Sequence, residues 1–388
     1  MGITTIQRYV LWETLKVFLL CLSITVLMMV LGGGVMEGMK KGFPTNVIMG
    51  MLPYFVPEML RYMIPGCMLF AVCTAFGRMS ATNEITAIKS AGINPMELVW
   101  PVLVLAYFLS FFTFWMYEVC ASWSRPNIHR VVAESLDDTV YSMLGTKKHF
   151  SMAGLEVSVK EVRDRKLIKP RIDMAATESR PALFLEAEEA TLQTDPETGI
   201  LRFSCSDGKI ESDGDQSYEF ADEYEINLDH LNSIELDQNS ASPANLTSRM
   251  MPRQIEREQQ IVREAEAELE IAIASDNFDH LDHVKHHLNA HKKRLLRLQA
   301  EVPRRWANGF GVFCFAMIGI PVSIWLRSAD NVKTFFLCFL PILLLYYPLL
   351  VVGEQWAREG SFGTLPVGIA DVALLLIGMF MMWRVNRN

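Results

Sequence analysis

Charge is missing from four long stretches of this 388-residue chain: residues 17–36, 98–117, 306–326 and 334–353 contain no Asp, Glu, Lys or Arg. Each stretch is about 20 residues long, and a helix of that length spans the ~30 Å hydrocarbon layer of a membrane. Hydrophobic residues make up 51% of the chain against 21% charged residues, and the mean hydropathy is +0.19. Because soluble domains need more surface charge than this, the composition excludes a soluble monomer and a disordered chain.

The sequence also lacks the motifs of common catalytic centres. It contains no Walker A phosphate loop, no nucleophile elbow and no HExxH zinc motif. The seven cysteines form no disulfide framework, because five of them lie inside apolar segments: Cys21, Cys67, Cys73, Cys314 and Cys338. We therefore expect no catalytic residue, metal or cofactor in this chain. If it moves a solute against a gradient, another subunit must supply the energy.

A group of histidines raises the alternative of a metal site: His280, His283, His286, His287 and His291. His283 and His287 are four residues apart, as are His287 and His291, so each pair shares a helical face as zinc ligands often do. No acidic ligand is placed to complete a site, and three basic residues follow at 292–294. We expect an exposed helix face rather than a metal site.

The apolar segments predict six transmembrane helices, three before a long polar region and three after it. They cover roughly residues 12–36, 53–77, 96–118, 306–326, 333–353 and 365–384. The first helix is expected to be uncleaved, because no small-residue cleavage site follows it. Glu58 and Arg61 lie three residues apart in the second helix and can form an ion pair there.

The distribution of Lys and Arg in the short loops predicts the orientation. With the N-terminus in the cytoplasm, eight basic residues fall on the cytoplasmic side: Arg8, Lys16, Arg78, Lys89, Arg327, Lys333, Arg384 and Arg387. Lys40, Lys41 and Arg358 fall on the opposite side. The positive-inside rule therefore favours both termini in the cytoplasm and residues 119–305 outside it.

The polar middle divides into two segments. Residues 148–230 alternate apolar and polar side chains between turn signals, so residues 119–250 are expected to form an all-β domain, a sandwich or open jelly-roll. This segment holds 14 Lys and Arg against 24 Asp and Glu. Its acidity argues against nucleic acid as a partner and against lying on anionic lipid.

Residues 251–305 have the pattern of a charged helical hairpin. One apolar seam is formed by Leu281, Val284, Leu288, Leu295, Leu298 and Val302, and an earlier stripe by Ile255, Val262, Leu269 and Ile273. Ser275-Asp276-Asn277 is a plausible break between the two helices. The segment is either a solvated connector to the fourth membrane helix or a coiled coil for a dedicated partner.

The loop between the second and third membrane helices, residues 77–98, is short and amphipathic. A helix at about 80–91, capped by Ser80 or Thr82, would present Ile85 and Ile88 on one side and Glu84 on another. Gly92 and Pro95 would end it. It is either an ordinary interfacial helix or a coupling helix that offers the Glu84 carboxylate to an arginine of a cytoplasmic motor.

This loop carries a resemblance to a known family. The segment "GRMSATNEITAIKSAG" (residues 77–92) and its flanking helices closely resemble the lipopolysaccharide export permeases of the LptF/LptG type. The tail "GIPVSIWLRS" (residues 319–328) and the arrangement of three plus three helices around a β domain resemble them too. The resemblance implies a polytopic α-helical inner-membrane protein with residues 1–118 and 306–388 in the membrane and a periplasmic jelly-roll between them.

The family's site residues can be carried over to matching positions. The resemblance implies that Glu84 helps to couple the chain to its ATPase, with Arg78, Ile85 and Ile88 as neighbours. Lys40 and Lys41 occupy the place of basic residues that hold the phosphorylated glycolipid, in a pattern more like the LptG side. Two ammonium groups at headgroup level suit lipid A phosphates. The alternative for these lysines is an interfacial snorkelling pair.

The resemblance also implies the partners. A cytoplasmic LptB-like ABC ATPase dimer would use the ATP, so this chain would need no cofactor of its own. A second LptF/LptG-like permease would pair with it as a hetero- or homodimer, and lipopolysaccharide would pass to an LptC/LptA-like periplasmic bridge. Residues expected to line the lipid path on the first and fifth helices are Leu27, Val30, Leu31, Phe336, Leu340 and Leu344.

Two features depart from the family or stay open. Residues 252–302 are longer than the usual connector, and Asp371 lies within the sixth helix, where an acid is a functional hypothesis and snorkelling is the alternative. Two other functions remain: a membrane-anchored sensor or scaffold whose β domain binds a ligand, and an exporter of a different lipid. A sensor would carry a signalling output domain, and none is evident at either end of the sequence.

Overall fold

The computed structural model describes most of the chain. The described residues are 4–41, 43–134, 136–152, 155–163, 165–174, 183–194, 201–212, 216–220, 224–228, 242–274, 278–326, 330–360, 363 and 365–387. Within them, six helices are long and apolar enough to cross a membrane, and we number them spans 1 to 6. They are Thr5–Lys40, Thr45–Ala81, Met96–Ile128, His283–Leu326, Val332–Glu359 and Leu365–Arg387. The expectation of six membrane helices around a β region is confirmed.

Twelve α-helices build the described helical part. They are α1 (Thr5–Met29), α2 (Met36–Lys41), α3 (Thr45–Ala81), α4 (Glu84–Ser90), α5 (Met96–Val119), α6 (Arg125–Glu134), α7 (Leu136–Lys147), α8 (Met251–Ala274), α9 (Phe278–Leu326), α10 (Asn331–Pro341), α11 (Tyr347–Glu359) and α12 (Ile369–Arg387). Short π-helical turns at Val30–Val35, Cys120–Ser124 and Ile342–Tyr346 join α1 to α2, α5 to α6 and α10 to α11. Spans 1, 3 and 5 are therefore continuous helices with one widened turn each.

The chain folds into two compact units. The first consists of Met1–Met28, Val56–Ser122 and Pro243–Asn388, and the second of Met29–Phe55 and Trp123–Ser242. The first unit holds most of the apolar helices and the second holds the sheet. Each is described by itself below.

Span 4 lies at the centre of the first unit, where 78% of its most apolar window is buried. Small residues let neighbouring helices approach it closely. A Cβ at Gly319 would lie 2.7 Å from the Val72 side chain, and a Cβ at Gly378 would lie 3.1 Å from Met317. The core of the unit is therefore built where spans 2 and 6 contact span 4.

Two clusters of ion-paired side chains lie inside the first unit. The predicted pair forms in span 2, where an Arg61 guanidinium nitrogen is 2.6 Å from Glu58 Oε1. A second group centres on Arg305, which is 1% exposed and donates to Glu118 at 3.0 Å and to Glu301 at 3.2 Å. Arg305 also donates to the Leu246 carbonyl oxygen at 2.7 Å. It thereby holds the segment that follows the sheet against spans 3 and 4.

The predicted helical hairpin is present as α8 and α9. Val262, Ala265 and Leu288 form its buried seam, with Leu269 and Leu295 packed against them. The predicted break at 275–277 lies outside the described residues, as does the side chain of Leu281. Ile273 was expected in the seam but is 58% exposed. The second helix does not end at the membrane: α9 runs through Pro303 and becomes span 4 as one helix of 49 residues.

The second unit contains one curled antiparallel sheet, with nine strands among the described residues. They are β1 (His149–Met152), β2 (Leu155–Ser158), β3 (Glu161–Arg163), β4 (Lys166–Ile168), β5 (Arg171–Met174), β6 (Leu183–Thr194), β7 (Leu201–Ser212), β8 (Gln216–Phe220) and β9 (Tyr224–Leu228). The order is β1-β2-β5-β6-β4-β3, so β5 and β4 share one edge of β6. The other edge of β6 pairs with β7, which in turn pairs with β8 and β9.

Alternating side chains explain why these segments form half-buried strands. Leu185 of β6 and Ile172 of β5 are buried and pair in register, whereas Glu186 and Arg171 point outward and form an ion pair at 2.8 Å. Helix α7 covers the inner face, and its Tyr141 hydroxyl accepts a hydrogen bond from the Leu192 amide at 2.7 Å. The two helices α6 and α7 before the sheet were not expected from the sequence.

Candidate functional site

The connection between spans 2 and 3 contains α4, and its start differs from the prediction. Ser80 does not cap α4, because it still belongs to α3, and its hydroxyl donates to the Ile324 carbonyl oxygen at 2.8 Å. The capping position is taken by Asn83, whose φ of 60° places it in the left-handed region, with no side-chain cap. The Thr82 hydroxyl donates to Glu84 Oε1 at 2.9 Å instead of capping the backbone. Helix α4 is therefore shorter than expected.

The end of α4 agrees with the prediction. The helix stops at Ser90, and Gly92 has a φ of 81°, a conformation that a residue with a Cβ rarely adopts. Asn94 Oδ1 then accepts a hydrogen bond from the Met96 amide at 2.9 Å, which starts α5. Sharp turns on both sides thus isolate α4 as a short helix of its own.

The apolar residues of α4 face the protein. Ile85 is buried in the main core of the first unit, and Ile88 packs against that core. The opposite side of the segment is exposed and carries small side chains: Thr86, Ala87, Ser90 and Ala91. Ile85 and Ile88, expected as neighbours of Glu84 in coupling, anchor the helix to the core. The surface available to another protein is the small, uncharged face, with Glu84 half-buried at its beginning.

Hydrogen bonds join α4 and its neighbours to the ends of three other helices. The Lys89 ammonium donates to the Val385 carbonyl oxygen of α12 at 3.2 Å. Ser80 contacts α9 as described, and the Gln7 side chain of α1 donates to the Glu97 carbonyl oxygen of α5 at 2.9 Å. A displacement of α4 would therefore be transmitted to spans 4 and 6.

Arg78 is bound to span 1 and not to Glu84. Its guanidinium is 3.2 Å from Glu13 Oε1 and donates to the Tyr9 hydroxyl at 3.0 Å. Glu84 contributes to the electrostatic field at Arg78, but the two do not form an ion pair among the described contacts. The Glu84 carboxylate keeps one oxygen on Thr82 and remains available to a cation from outside.

Most residues expected to contact lipid are exposed on spans 1 and 5. These spans have the smallest buried share of their apolar windows, 11% and 17%. The exposed fractions are 60% for Leu27, 54% for Leu31, 62% for Phe336, 57% for Leu340 and 65% for Leu344, whereas Val30 is 9% exposed. Val30 is thus buried, whereas the other five are exposed apolar side chains on spans 1 and 5.

The sequence reasoning missed the π-helical turns in these same spans. In span 1 the turn Val30–Val35 contains Gly32, Gly33 and Gly34, and in span 5 the turn Ile342–Tyr346 follows Pro341. Such turns are frequent at functional sites because they leave a widened, locally weaker hydrogen-bond pattern. Three glycines in a row and a proline within an apolar helix were the signals that could have indicated them.

The two lysines expected at the headgroup level follow the first π turn. Both lie in α2, and the Lys40 side chain is exposed. The Lys41 side chain lies outside the described residues. Gly38 faces Ile48, where a Cβ would lie 3.0 Å from Cγ1, so the backbone just before the lysines packs against α3.

The histidine group and Asp371 take no part in the α4 site. His291 Nδ1 lies 2.6 Å from Glu258 Oε1, and among the described residues no group of three His, Cys, Asp or Glu could hold a metal. The side chain of His280 lies outside the described residues. Asp371 is 5% exposed, and its backbone carbonyl accepts from Cys314 Sγ. It faces the bundle interior, so the snorkelling alternative is not supported.

One comparison with known proteins covers nearly the whole chain. A family model described as "Lipopolysaccharide export system permease LptF/LptG" matches residues 8–384. No curated protein matches the chain. The matched range includes all six spans, α4, the sheet and the hairpin.

Proposed function

The chain belongs to the LptF/LptG family of lipopolysaccharide export system permeases, and on that premise we propose that it is the membrane subunit of an ATP-driven lipopolysaccharide exporter. It carries out no hydrolysis itself. A separate cytoplasmic ABC ATPase dimer uses the ATP, and this chain converts closure of that dimer into movement of its spans. The sensor or scaffold alternative has no support from the family match.

The observation that carries the proposal is the construction of α4. It is a seven-residue helix with isoleucines packed on the core on one side, small exposed residues on the other and hydrogen bonds from its neighbourhood to the ends of α9 and α12. A rigid, solvent-exposed helix without bulky side chains suits insertion into a groove of a partner protein. Glu84 then offers a carboxylate to an arginine in that groove, a charge-assisted bond stronger than a neutral one.

The orientation in the proposal places α4 in the cytoplasm. The excess of Lys and Arg at the same ends of the spans supports this side. Both termini are then cytoplasmic, and the sheet is periplasmic. The acidity of residues 119–250 is consistent with a segment that is translocated and does not bind anionic lipid.

The exposed surfaces of spans 1 and 5 are proposed to face the substrate and a second permease subunit. Leu31 and Phe336 are examples of bulky apolar side chains left without cover in this chain. Such patches on a membrane helix accommodate acyl chains or another helix. Lys40 and Lys41 are proposed to contact the phosphates of the glycolipid at the headgroup level.

The sheet is proposed to pass the lipid to a periplasmic bridge. Among the described strands, β1, β3, β8 and β9 each pair with one neighbour only, so they are the edge strands of the sheet. An edge strand offers unpaired backbone groups to a strand of another protein. Edge-to-edge pairing would extend the curled sheet into the next component.

The coupling role is tested with the purified transporter reconstituted with its ATPase. Glu84→Ala removes the carboxylate, and we expect lipopolysaccharide-stimulated ATP hydrolysis to fall about tenfold, since a charge-assisted bond is worth ~1.5–3 kcal/mol. Glu97→Ala is the control, because the Glu97 side chain is exposed in the first turn of α5. Gln7 binds the Glu97 main-chain carbonyl, and this bond is kept in the variant. Unchanged stimulation in an intact Glu84→Ala complex would refute the coupling role.

A further inference from the structure

A pocket lies beside α4 and is not part of the face offered to the ATPase. It has a volume of about 510 Å³ and is lined by Lys89, Pro321, Ile324, Trp325, Phe380, Met381, Arg384 and Val385. These residues come from α4 and from the last turns of α9 and α12. The pocket thus opens where spans 4 and 6 end, and all of its lining belongs to the first unit.

Two cations line this pocket, the Lys89 ammonium and the Arg384 guanidinium. Neither Lys89 nor Arg384 forms an ion pair with an Asp or Glu in the part of the chain that the structure describes. Lys89 uses one of its three donors on the Val385 carbonyl oxygen, which fixes the position of the ammonium and leaves two donors. Arg384 directly precedes Val385 in α12, and its side chain is exposed. Among the described residues, the pocket lining therefore carries two cations and no carboxylate.

The rest of the pocket lining is apolar. Trp325 is 73% exposed and Phe380 is 60% exposed. Pro321 and Met381 complete the wall between them. Tryptophan is enriched where the hydrocarbon of a membrane meets the headgroups, and Lys and Arg are enriched just beyond it. The order along the pocket, from aromatic wall to cations, matches that gradient.

We propose that this pocket binds an anionic glycerophospholipid of the adjacent leaflet, with its phosphate between Lys89 and Arg384 and an acyl chain along Trp325 and Phe380. The pocket volume lies within the range of small-ligand sites. A protein side chain or segment is the less suitable occupant, because the apolar wall belongs to two helices of membrane-spanning length and its Trp325 and Phe380 are exposed. A free phosphate would satisfy the cations but would leave the apolar wall uncovered.

Because the site lies between α4 and α12, a bound lipid would connect these two helices. Lys89 belongs to α4, whereas Arg384 belongs to α12, so one phosphate would link the two helices beside the existing bond from Lys89 to Val385. If α4 couples the chain to an ATPase as proposed above, the lipid would stiffen that coupling. Binding itself does not depend on the coupling role, and it is measured without the ATPase.

The test uses the purified full-length chain in detergent, delipidated and then titrated with dioleoylphosphatidylglycerol or with zwitterionic dioleoylphosphatidylcholine. Native mass spectrometry counts the bound lipids. We expect phosphatidylglycerol to bind more tightly, and Lys89→Gln with Arg384→Gln to weaken it by about fivefold for each cation removed. The matched control is Lys16→Gln with Arg387→Gln, since both cations lie at the same ends of the spans but outside the pocket lining.

Further variants separate the alternatives. Phe380→Ser shortens the apolar wall and should weaken binding while the preference for phosphatidylglycerol remains. Arg384→Gln alone serves if the double variant does not fold, because Arg384 is exposed at the end of the chain. An unchanged preference in the Lys89 and Arg384 variants, or displacement of the lipid by inorganic phosphate alone, would overturn the proposal. The proposal would also be overturned if no lipid bound and the Lys89 and Arg384 variants weakened binding of the ATPase. The pocket would then be a contact surface for that protein.

Discussion

The Ser80 hydroxyl of span 2 donates to the carbonyl oxygen of Ile324 in span 4, at a distance of 2.8 Å and buried from solvent. This bond joins the last turns of two spans directly before α4 begins. Span 4 is the most buried of the six. A displacement of α4 would therefore be transmitted to the centre of the bundle through this hydrogen bond.

Replacing Lys40 and Lys41 together with Ala should reduce lipopolysaccharide binding by about fivefold for each lysine, because each cation near a phosphorylated headgroup contributes ~1 kcal/mol. A photocrosslinker in place of the exposed Leu31 reports the bound lipid. Lys16→Ala is the control, since Lys16 lies at the other end of span 1 and pairs with Glu13 at 3.5 Å. Equal crosslinking in the double variant would make the two lysines interfacial anchors only.

Removing the buried Arg305 should destabilise the first unit strongly. Arg305→Met removes the cation that pairs with Glu118 and leaves Glu301 paired with Arg304 alone, and breaking a buried pair on one side costs roughly 3–5 kcal/mol. Arg358→Met should cost at most about 1 kcal/mol, because the Arg358 side chain is 51% exposed and pairs within one helix turn. The melting temperatures of the two variants are compared in the same detergent. A small loss for Arg305→Met would show that Glu118 and Glu301 find other partners.

Two glycines of the second unit should respond in opposite directions to Ala. At Gly208 a Cβ would lie 2.5 Å from the Glu186 carbonyl oxygen, so the backbone of β6 or β7 must shift, at a cost of about 1–3 kcal/mol. At Gly145 nothing lies within 4 Å, and Ala is the better helix former by ~1 kcal/mol. Melting temperatures should therefore fall for Gly208→Ala and rise for Gly145→Ala. A rise for both would mean that the sheet adapts at β7.

The buried thiol of Cys205 in β7 predicts how its alkylation rate and the stability of the protein depend on pH. Burial raises the pKa of its thiol from 9.0 to about 11, because desolvation disfavours the thiolate. At pH 8 its alkylation should be about 100-fold slower than that of a cysteine at the exposed position of Tyr218, which Tyr218→Cys provides. The thiol's contribution to stability is fully present below pH 9 and is lost as the pH rises through about 11.

The corresponding control is the pH dependence of Cys205→Ala. The variant should lose less stability between pH 9 and pH 11 than the unchanged chain does, because it lacks the thiol that titrates in the unfolded state. Identical curves for the two proteins would contradict the burial of Cys205.

The membrane helices and the sheet could be predicted because their periodicity is strong. Runs without charge indicated the spans, and alternation in segments such as Leu183–Thr194 indicated strands. Helices α6 and α7 were missed because residues 125–147 carry no clear apolar stripe at helical spacing. The continuity of α9 was missed because the change from charged to apolar residues near 305, together with Pro303, resembles a domain boundary, although the helix continues through that proline.

The candidate site was predicted in place but not in detail. Gly92 ends α4 as expected, since its φ of 81° is a local property of glycine. The role of Ser80 could not be read from the sequence, because its partner Ile324 lies 244 residues away. The same holds for Arg78, which lies beside Glu84 in sequence but forms its ion pair with Glu13 of span 1.

The central claim, that the exposed face of α4 contacts a cytoplasmic ATPase, is tested most directly by site-specific crosslinking in inner membranes. Thr86→Cys lies on the exposed face of α4, and Glu359→Cys lies exposed at the opposite end of span 5. With a short thiol-reactive crosslinker, we expect Thr86→Cys to form a covalent product with the ATPase subunit and Glu359→Cys to form none. A product from Glu359→Cys, or labelling of Thr86→Cys by a reagent confined to the periplasm, would contradict the account.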